Sequence, residues 1–330
     1  MYIYANIIIN HPEKGAGWNT ILSIIVKQTI GRVYILGNGF DIDLGYKTKY
    51  SDFAKSNEWR ILMKEIGKTD GHALLSYLEE KRRTEKWFDI EAELMVFASI
   101  DHKWRIEKNP VEDEKDFHLL CNAFCEYAKK IEYWKYRENS CAAKLIKTIK
   151  RFDVNTHIYS FNYTPLIKII EAINFDYYSN TNFFDLHGTL NEQDLILGFE
   201  TNQPEKIRKE YNFLFKSSNS HYKSSEIAKD MQNAHEVVVF GHSLNKIDFV
   251  YFRDYFLYLL QSNEEKQEKR ELTIITFDEM SERMIKNNIR DMGISLPELY
   301  MHAQVKFIKT SNVENGIKTD LEKFESLLNY

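Results

Sequence analysis

The sequence predicts an α/β fold: a mostly parallel sheet flanked by helices. Three observations predict it. Seven short β-rich runs punctuate the chain, and most are continuously apolar rather than alternating, as strands buried on both faces are. Longer segments of helical period lie between them. Four of the runs end in polar turns at the same place, just beyond the last apolar residue, where open parallel sheets bind ligands.

The elements follow in chain order. Residues 1–31 precede the first run as an N-terminal extension. They are apolar in two short pieces and lack a basic n-region and a small-residue cleavage site, so they do not read as a signal peptide. The first run, Arg32–Leu36, leads into Gly37-Asn38-Gly39-Phe40-Asp41. Residues 54–150 contain WRILMKEIG, HALLSYLEEKRR, DIEAELMVFASI and FHLLCNAFCEYAKKIEYWKYRE, with no convincing strand. They predict a helical insertion, too long for a simple crossover. The second run, Thr156–Phe161, ends at Asn162-Tyr163-Thr164 and is followed by PLIKIIEAI, a crossover helix. The third, Phe183–Leu186, meets His187-Gly188, and the fourth is Leu195–Phe199. Residues 203–230 are polar and lysine-rich, and read as a mobile loop with a helical part. The fifth run, Glu236–Phe240, ends at Gly241-His242-Ser243-Leu244, with Asp248 close by and FVYFRDYFLYLLQS as the next helix. QSNEEKQEKRE, 261–271, reads as a solvated loop. Leu272–Phe277 and Val305–Thr310 complete the set.

Composition narrows the function. A chain of 330 residues suits one large domain or two modest ones. Its 13 Gly and 5 Pro argue against long flexible linkers. A net charge of -5 supplies no global basic field, which argues against a dedicated DNA-binding domain. Cys121, Cys125 and Cys141 are an odd set and describe no disulfide scaffold. Cys121 and Cys125 stand one helical turn apart without Cys or His partners at zinc spacing, so they read as two half-buried helix residues and no metal is expected. No apolar stretch approaches the roughly 20 residues needed to cross a bilayer. No membrane partner is expected, and the chain reads as cytoplasmic.

If the four punctuated strands are neighbours, Asn38, Asp41, Asn162, His187, Ser243 and Asp248 converge on one cleft. Gly37 and Gly39 permit a tight turn and close approach of a ligand, and a helix starting after them would aim its amides at phosphate. Asn162 offers a donor and an acceptor at a fixed position. His187 is the candidate for titration near neutrality. Gly241-His242-Ser243 adds backbone donors and a hydroxyl. Structural alternatives stand beside each of these. Asn38 fits a turn residue and Asp41 a helix cap. His187 fits a satisfied structural histidine, Asp185 a partner for a nearby base, and Ser243 a cap. In Trp87-Phe88-Asp89-Ile90-Glu91, Asp89 and Glu91 cannot share a helix face, and an aromatic anchor with Asp89 as N-cap accounts for the stretch.

LGNGFDIDLGYKTKYSDF, WFDIEAEL, SFNYTPLI, LHGTL, LILGFE and FGHSLNKIDFVYF together resemble the ordered motif set of the AbiH family of bacterial phage abortive-infection proteins, from Val33 to beyond Phe252. That family is in turn similar to SIR2-like domains. The resemblance implies a Rossmann-like (SIR2-like) fold over 1–330, with the insertion after the first strand. Carried over by position, Gly37, Asn38, Gly39, Phe40 and Asp41 stand for the dinucleotide loop. Asn162 stands for the asparagine beside the ribose and His187 for the catalytic histidine. Gly241 and Ser243, with Asp248, stand for the late nucleotide contact. The first loop departs from Gly-Ala-Gly, and the four-cysteine zinc site of the deacetylases is missing. The resemblance therefore bears on NAD binding rather than deacetylation.

It implies an anti-phage effector with NAD as substrate, cleaved at the nicotinamide–ribose bond. A homo-oligomer or a second defence protein is a possible partner, with a phage-derived trigger. Two alternatives stay open. One is a nucleotide-sensing module that binds without turnover. The other is a nucleic-acid-directed toxin, with residues 203–230 on phosphate and Asp41, Asp89 and Glu91 on Mg²⁺.

Overall fold

The computed structural model describes residues 30–67, 71–85, 88–149, 155–173, 181–188, 190, 195–222, 226–261 and 269–329. Six strands, β1 (Ile30–Leu36), β2 (Thr156–Ser160), β3 (Thr181–Asp185), β4 (Ala234–Phe240), β5 (Arg270–Thr276) and β6 (Ala303–Lys309), form one all-parallel sheet. Their order is β3-β2-β1-β4-β5-β6, the doubly wound order of a Rossmann-like fold. The four strands with polar punctuation, β1 to β4, are therefore consecutive in space.

The continuous apolar runs are explained by two covered faces. Val33, Ile35, Val237 and Val239 point to one side, against Tyr255, Leu259, Ile285 and Ile289. Those come from α10 (Phe249–Leu260) and α11 (Glu279–Asp291). Tyr34, Leu36, Val238 and Phe240 point to the other, against Leu145, Ile146, Ile169, Ile170 and Phe324. Those come from α7 (Cys141–Ile149), α8 (Leu166–Ile173) and α14 (Lys318–Leu328). The smaller α9 (Ile227–Asn233), α12 (Leu296–His302) and α13 (Thr310–Glu314) complete the cover.

Between β1 and β2 lie α1 (Asn38–Asp43), α2 (Tyr50–Phe53), α3 (Asn57–Ile66), α4 (Ala73–Thr84), α5 (Ile90–Ala98), α6 (Pro110–Ala128) and α7. Among the described residues this stretch is helical, as its periodicity predicts. Local caps start the helices. The Ser56 hydroxyl accepts from the Trp59 amide at 3.2 Å, and Asn109 caps α6 with Pro110 in its first turn. Cys121 and Cys125 are free thiols on α6. No helix among the described residues is long and apolar enough to cross a membrane.

Four expectations need correction. Leu195–Phe199 is not a strand of the sheet; it makes one isolated bridge, Phe199 to Phe215. Its apolar side chains Leu195, Leu197 and Phe199 instead join the core of the helical insertion, with Tyr211, Leu214, Phe97 and Leu94. A buried loop and a buried strand share the same apolar signature. Residues 203–230, expected as a mobile loop with a helical part, do contain helical pieces, but 203–218 is packed as three 3₁₀ turns, Pro204–Lys206, Lys209–Leu214 and Lys216–Ser218. Ile207 bridges Ser99, which ties this segment to α5. Arg270 and Glu271 belong to β5, not to a solvated loop, and Ile30 and Gly31 belong to β1, not to an extension. Residues 1–29, 223–225 and 262–268 of those expectations lie outside the described residues.

The ends of β1 and β4 are joined backbone to backbone. The Gly39 amide donates to the Gly241 carbonyl at 2.8 Å, and the Gly37 amide to the Phe240 carbonyl at 2.9 Å. Gly241 has φ +65, and a Cβ there would lie 2.3 Å from the Phe40 nitrogen. Cβ atoms on Gly37 and Gly39 would lie 2.5 and 2.6 Å from the α-carbons of His242 and Gly241. Gly241→Ala therefore combines a left-handed backbone with a clash against main chain, which cannot swing aside. Gly316 has φ +70 and nothing within 4 Å of the added carbon. In urea unfolding, Gly316→Ala is expected to cost about 1 kcal/mol and Gly241→Ala at least roughly 3 kcal/mol. Equal losses would mean that the loops do not touch in solution.

Candidate functional site

Beyond the sheet's carboxyl ends, α1 turns Asp41 inward. Its carboxylate is fully buried and accepts from Asn162 Nδ2 at 2.9 Å and from Thr164 Oγ1 at 2.6 Å. Burial pushes the Asp41 carboxyl up to about 7 against those two hydrogen bonds, and the nearby charge of Asp185 adds to the rise. The same contact orients Asn162. With Nδ2 on Asp41, Oδ1 points away as an acceptor, and it is buried without a hydrogen-bond partner. Asp185 ends β3 opposite Ser160. Its Oδ1 is likewise buried and unpartnered. Burial pushes its carboxyl up to about 6, with the Leu166 amide pulling the other way.

A second cluster surrounds Lys216, whose side chain is 0 % exposed. Its ammonium donates to His187 Nε2 at 2.9 Å and meets Glu91 Oε1 at 3.1 Å and Asp248 Oδ1 at 3.4 Å. Burial alone would lower the lysine's pKa; the two carboxylates outweigh it and leave it raised. Asp248 is held well below the usual carboxylate range because Lys216 and His242 outweigh its burial. Glu91 is pushed the other way, up to about 7, by burial and by the charges of Asp248 and Asp89, against the pull of Lys216. One ammonium serves two carboxyls, so Asp248 is held down while Glu91 is pushed up. Tyr163 donates to Glu91 Oε1 at 2.8 Å. His242 accepts the Leu244 amide at Nδ1, 3.0 Å, and turns Nε2 to Asp248 Oδ2 at 3.3 Å.

His187 is 3 % exposed, and burial with the Lys216 charge beside it holds its pKa well below the ordinary histidine value. It is neutral. An ammonium only donates, so Nε2 is the acceptor and the ring proton sits on Nδ1. Nδ1 is buried without a well-formed hydrogen bond, and a weak contact to the Phe161 backbone favours the protonated ring. The ring lies 5.1 Å from that of Tyr163 and 5.7 Å from that of Phe161.

The other expected residues divide. Asn162 and Asp41 meet directly, and Asp248 reaches His187 through Lys216. Asn38 is exposed and pairs with Thr48, giving 3.3 Å to its carbonyl and receiving its hydroxyl at 2.5 Å. Phe40, expected at the nucleotide, is a core residue with its ring edge-on to Phe240 at 5.4 Å. Gly37, Gly39 and Gly241 approach backbone rather than an open cradle, and the amides of Gly37 and Gly39 are already donated to the end of β4. The six-residue α1 has no phosphate site at its start. Ser243 is half-buried with its carbonyl on Asn288, and Asn245 caps the following turn instead. Asp89 caps α5 through the Ala92 amide at 3.2 Å; Trp87 lies outside the described residues. Asp41, Asp89 and Glu91 are each committed elsewhere and do not form the Mg²⁺ set of the toxin alternative. No group of three or more His, Cys, Asp or Glu among the described residues is arranged to hold a metal.

Lys216, Thr164 and His242 were missed from sequence. Lys216 carried a signal, because it follows Phe213-Leu214-Phe215, an apolar run that a solvated lysine seldom extends.

Residues 33–274 match the family model described as AbiH, Bacteriophage abortive infection AbiH. No curated protein matches the chain. Among solved structures, cytosolic 5'-nucleotidase IIIB bound to cytidine aligns over 91% of this chain and 88% of its own. The identity is 11% and the TM-score 0.31, a likeness too low to bear on function.

The raised Asp41 has a consequence for stability. The folded state binds its proton near pH 7, the unfolded state near 3.8. Between those values the folded state holds the extra proton. The stabilisation is therefore full below about pH 4 and is lost as pH rises through 7. Wild type minus Asp41→Asn, compared by urea unfolding, is expected to fall by roughly 2 kcal/mol between pH 5 and pH 8. A constant difference would show that Asp41 keeps an ordinary carboxylate acidity.

Proposed function

The chain belongs to the AbiH family of bacteriophage abortive-infection proteins, and from that premise we propose that it acts in anti-phage defence by hydrolysing NAD at the nicotinamide–ribose bond, in a SIR2-like cleft at the carboxyl ends of β1, β2 and β3. The observation that carries the proposal is Asn162: a buried amide locked by Asp41, with its acceptor oxygen unpartnered. A buried acceptor without a donor costs roughly 1–3 kcal/mol, and a water or a ribose hydroxyl relieves it.

The chemistry suits these groups. A water oxygen bonds to the ribose C1′ while the C1′–N bond breaks. Nicotinamide leaves with the bonding pair as a neutral molecule, so no strong general acid is needed, and the water's surplus proton passes to solvent. Asn162 Oδ1 accepts from the attacking water or a ribose hydroxyl and aims it. Asp41, when ionised, and Asp185 lend negative charge beside the oxocarbenium-like centre. Asp248 is neutralised by Lys216 and supports the site from behind. His187, with Nε2 already occupied, serves the substrate as a donor rather than as a base.

A nucleotide sensor that binds without turnover is the second reading. It is favoured by one observation, the occupation of His187 Nε2 by Lys216, which leaves the histidine without a free basic nitrogen.

Cellular NAD, measured by mass spectrometry with and without phage, separates the two. Wild type is expected to lose most of its NAD on infection. Asn162→Ala, with unchanged expression and melting temperature, is expected to keep it and to lose protection. Protection with NAD unchanged would sink hydrolysis and leave the sensor.

A further inference from the structure

We propose that Lys216 is a positioning residue: its buried ammonium fixes His187 as a neutral imidazole with the proton on Nδ1, so that the ligand atom meeting this histidine is an acceptor oxygen. This rests on the reading of the strand ends as the active site, but its central claim concerns the histidine alone.

The geometry is saturated on the lysine side. An ammonium has three N–H donors and no acceptor. Three acceptors surround it: His187 Nε2, Glu91 Oε1 and Asp248 Oδ1, at 2.9, 3.1 and 3.4 Å. No rotation of the head group leaves Nε2 free to carry a proton. Free histidine favours the Nε2–H tautomer; Lys216 imposes the other. Protonation of the ring would set an N–H⁺ against the ammonium inside the protein.

The groups facing the ring come from every element around it. Lys216 comes from the packed segment after Phe215, Asp248 and His242 from the loop after β4, Tyr163 from the loop after β2, and Glu91 from α5 through the lysine. Asp248 and a hydrogen bond to the Phe161 backbone favour imidazolium. Burial, Lys216 and His242 oppose it.

What remains is Nδ1–H, buried, beside the Phe161 backbone but without a well-formed hydrogen bond. Asn162 offers the complementary group, an acceptor oxygen in the same state. An accepting ligand oxygen would satisfy Nδ1–H, and a donating hydroxyl would satisfy Asn162 Oδ1.

The test is ¹⁵N-histidine NMR on the full chain, with the His187 signals assigned by their loss in His187→Gln. In wild type, His187 is expected as a neutral Nδ1–H ring that does not titrate between pH 5.5 and 8.5. Millimolar ADP-ribose is expected to move its Nδ1–H signal. Lys216→Met is expected to shift the ring to Nε2–H or to let it titrate, and to cut NAD loss in infected cells by about a hundredfold. The wild-type spectrum needs no variant, so a misfolded Lys216→Met leaves the tautomer testable. An Nε2–H ring, an ordinary titration, or a signal unmoved by ADP-ribose overturns the positioning role. NAD hydrolysis with the wrong tautomer would remove this inference and leave the enzyme. The right tautomer and an ADP-ribose shift without hydrolysis would do the reverse.

Discussion

The buried ammonium of Lys216 is the interaction on which the site depends. A lysine head group out of water is tolerable only if ionic and hydrogen-bonding partners replace its solvation. Here each partner comes from a different part of the chain: Glu91 from the helical insertion, Asp248 from the loop after β4, and His187 from the loop after β3. The lysine itself lies on a segment packed into the insertion's core. These segments cannot separate without exposing an uncompensated charge inside the protein. The insertion is thus tied to the sheet by electrostatics as well as by apolar contact, and the tie is made at the strand ends.

The glycine contacts shift where a ligand can sit. In the order β3-β2-β1-β4-β5-β6 the crevice is expected between β1 and β4, where the crossover direction reverses. Gly37, Gly39 and Gly241 bring those two loops into main-chain contact and use the amides that would otherwise face phosphate. Two buried oxygens without a hydrogen bond, Asn162 Oδ1 and Asp185 Oδ1, stand instead at the ends of β2 and β3, with His187 beside them in sequence. The glycines are required by packing, and the unsatisfied buried oxygens lie one or two strands away.

This division explains what the sequence could and could not reveal. The inner strands β1, β4 and β5 were legible because burial on both faces demands uninterrupted apolar runs, whereas β3 and β6 at the sheet edges are only partly buried. Leu195–Phe199 came from another apolar environment, the buried loop of the insertion core. Asn162 and His187 were legible because polar residues ending apolar strands have few structural reasons to be there. The glycines were legible as close approaches, but whether a glycine meets a ligand or another backbone depends on a partner loop about 200 residues away, Gly241 against Gly37 and Gly39. Lys216 was the hardest. Apart from its apolar neighbours, a buried lysine looks like any surface lysine, and its partners are distant in the chain. The histidine's tautomer follows from Lys216, so it was hidden with it.

Asn162 and His187 share one logic with opposite signs. Asn162 is backed by the carboxyl of Asp41, which takes its donor end and leaves an acceptor. His187 is backed by the ammonium of Lys216, which takes its acceptor end and leaves a donor. An asparagine or a neutral histidine in water presents either polarity. Each becomes single-valued only because a buried ionisable group behind it removes the choice. Preorganised dipoles of this kind do not need to reorient when charge develops in a substrate, the condition under which polar groups stabilise a transition state rather than merely bind. The cost of burying Asp41 and Lys216 falls on the stability of the fold, and the fixed polarity of Asn162 and His187 is what that burial produces.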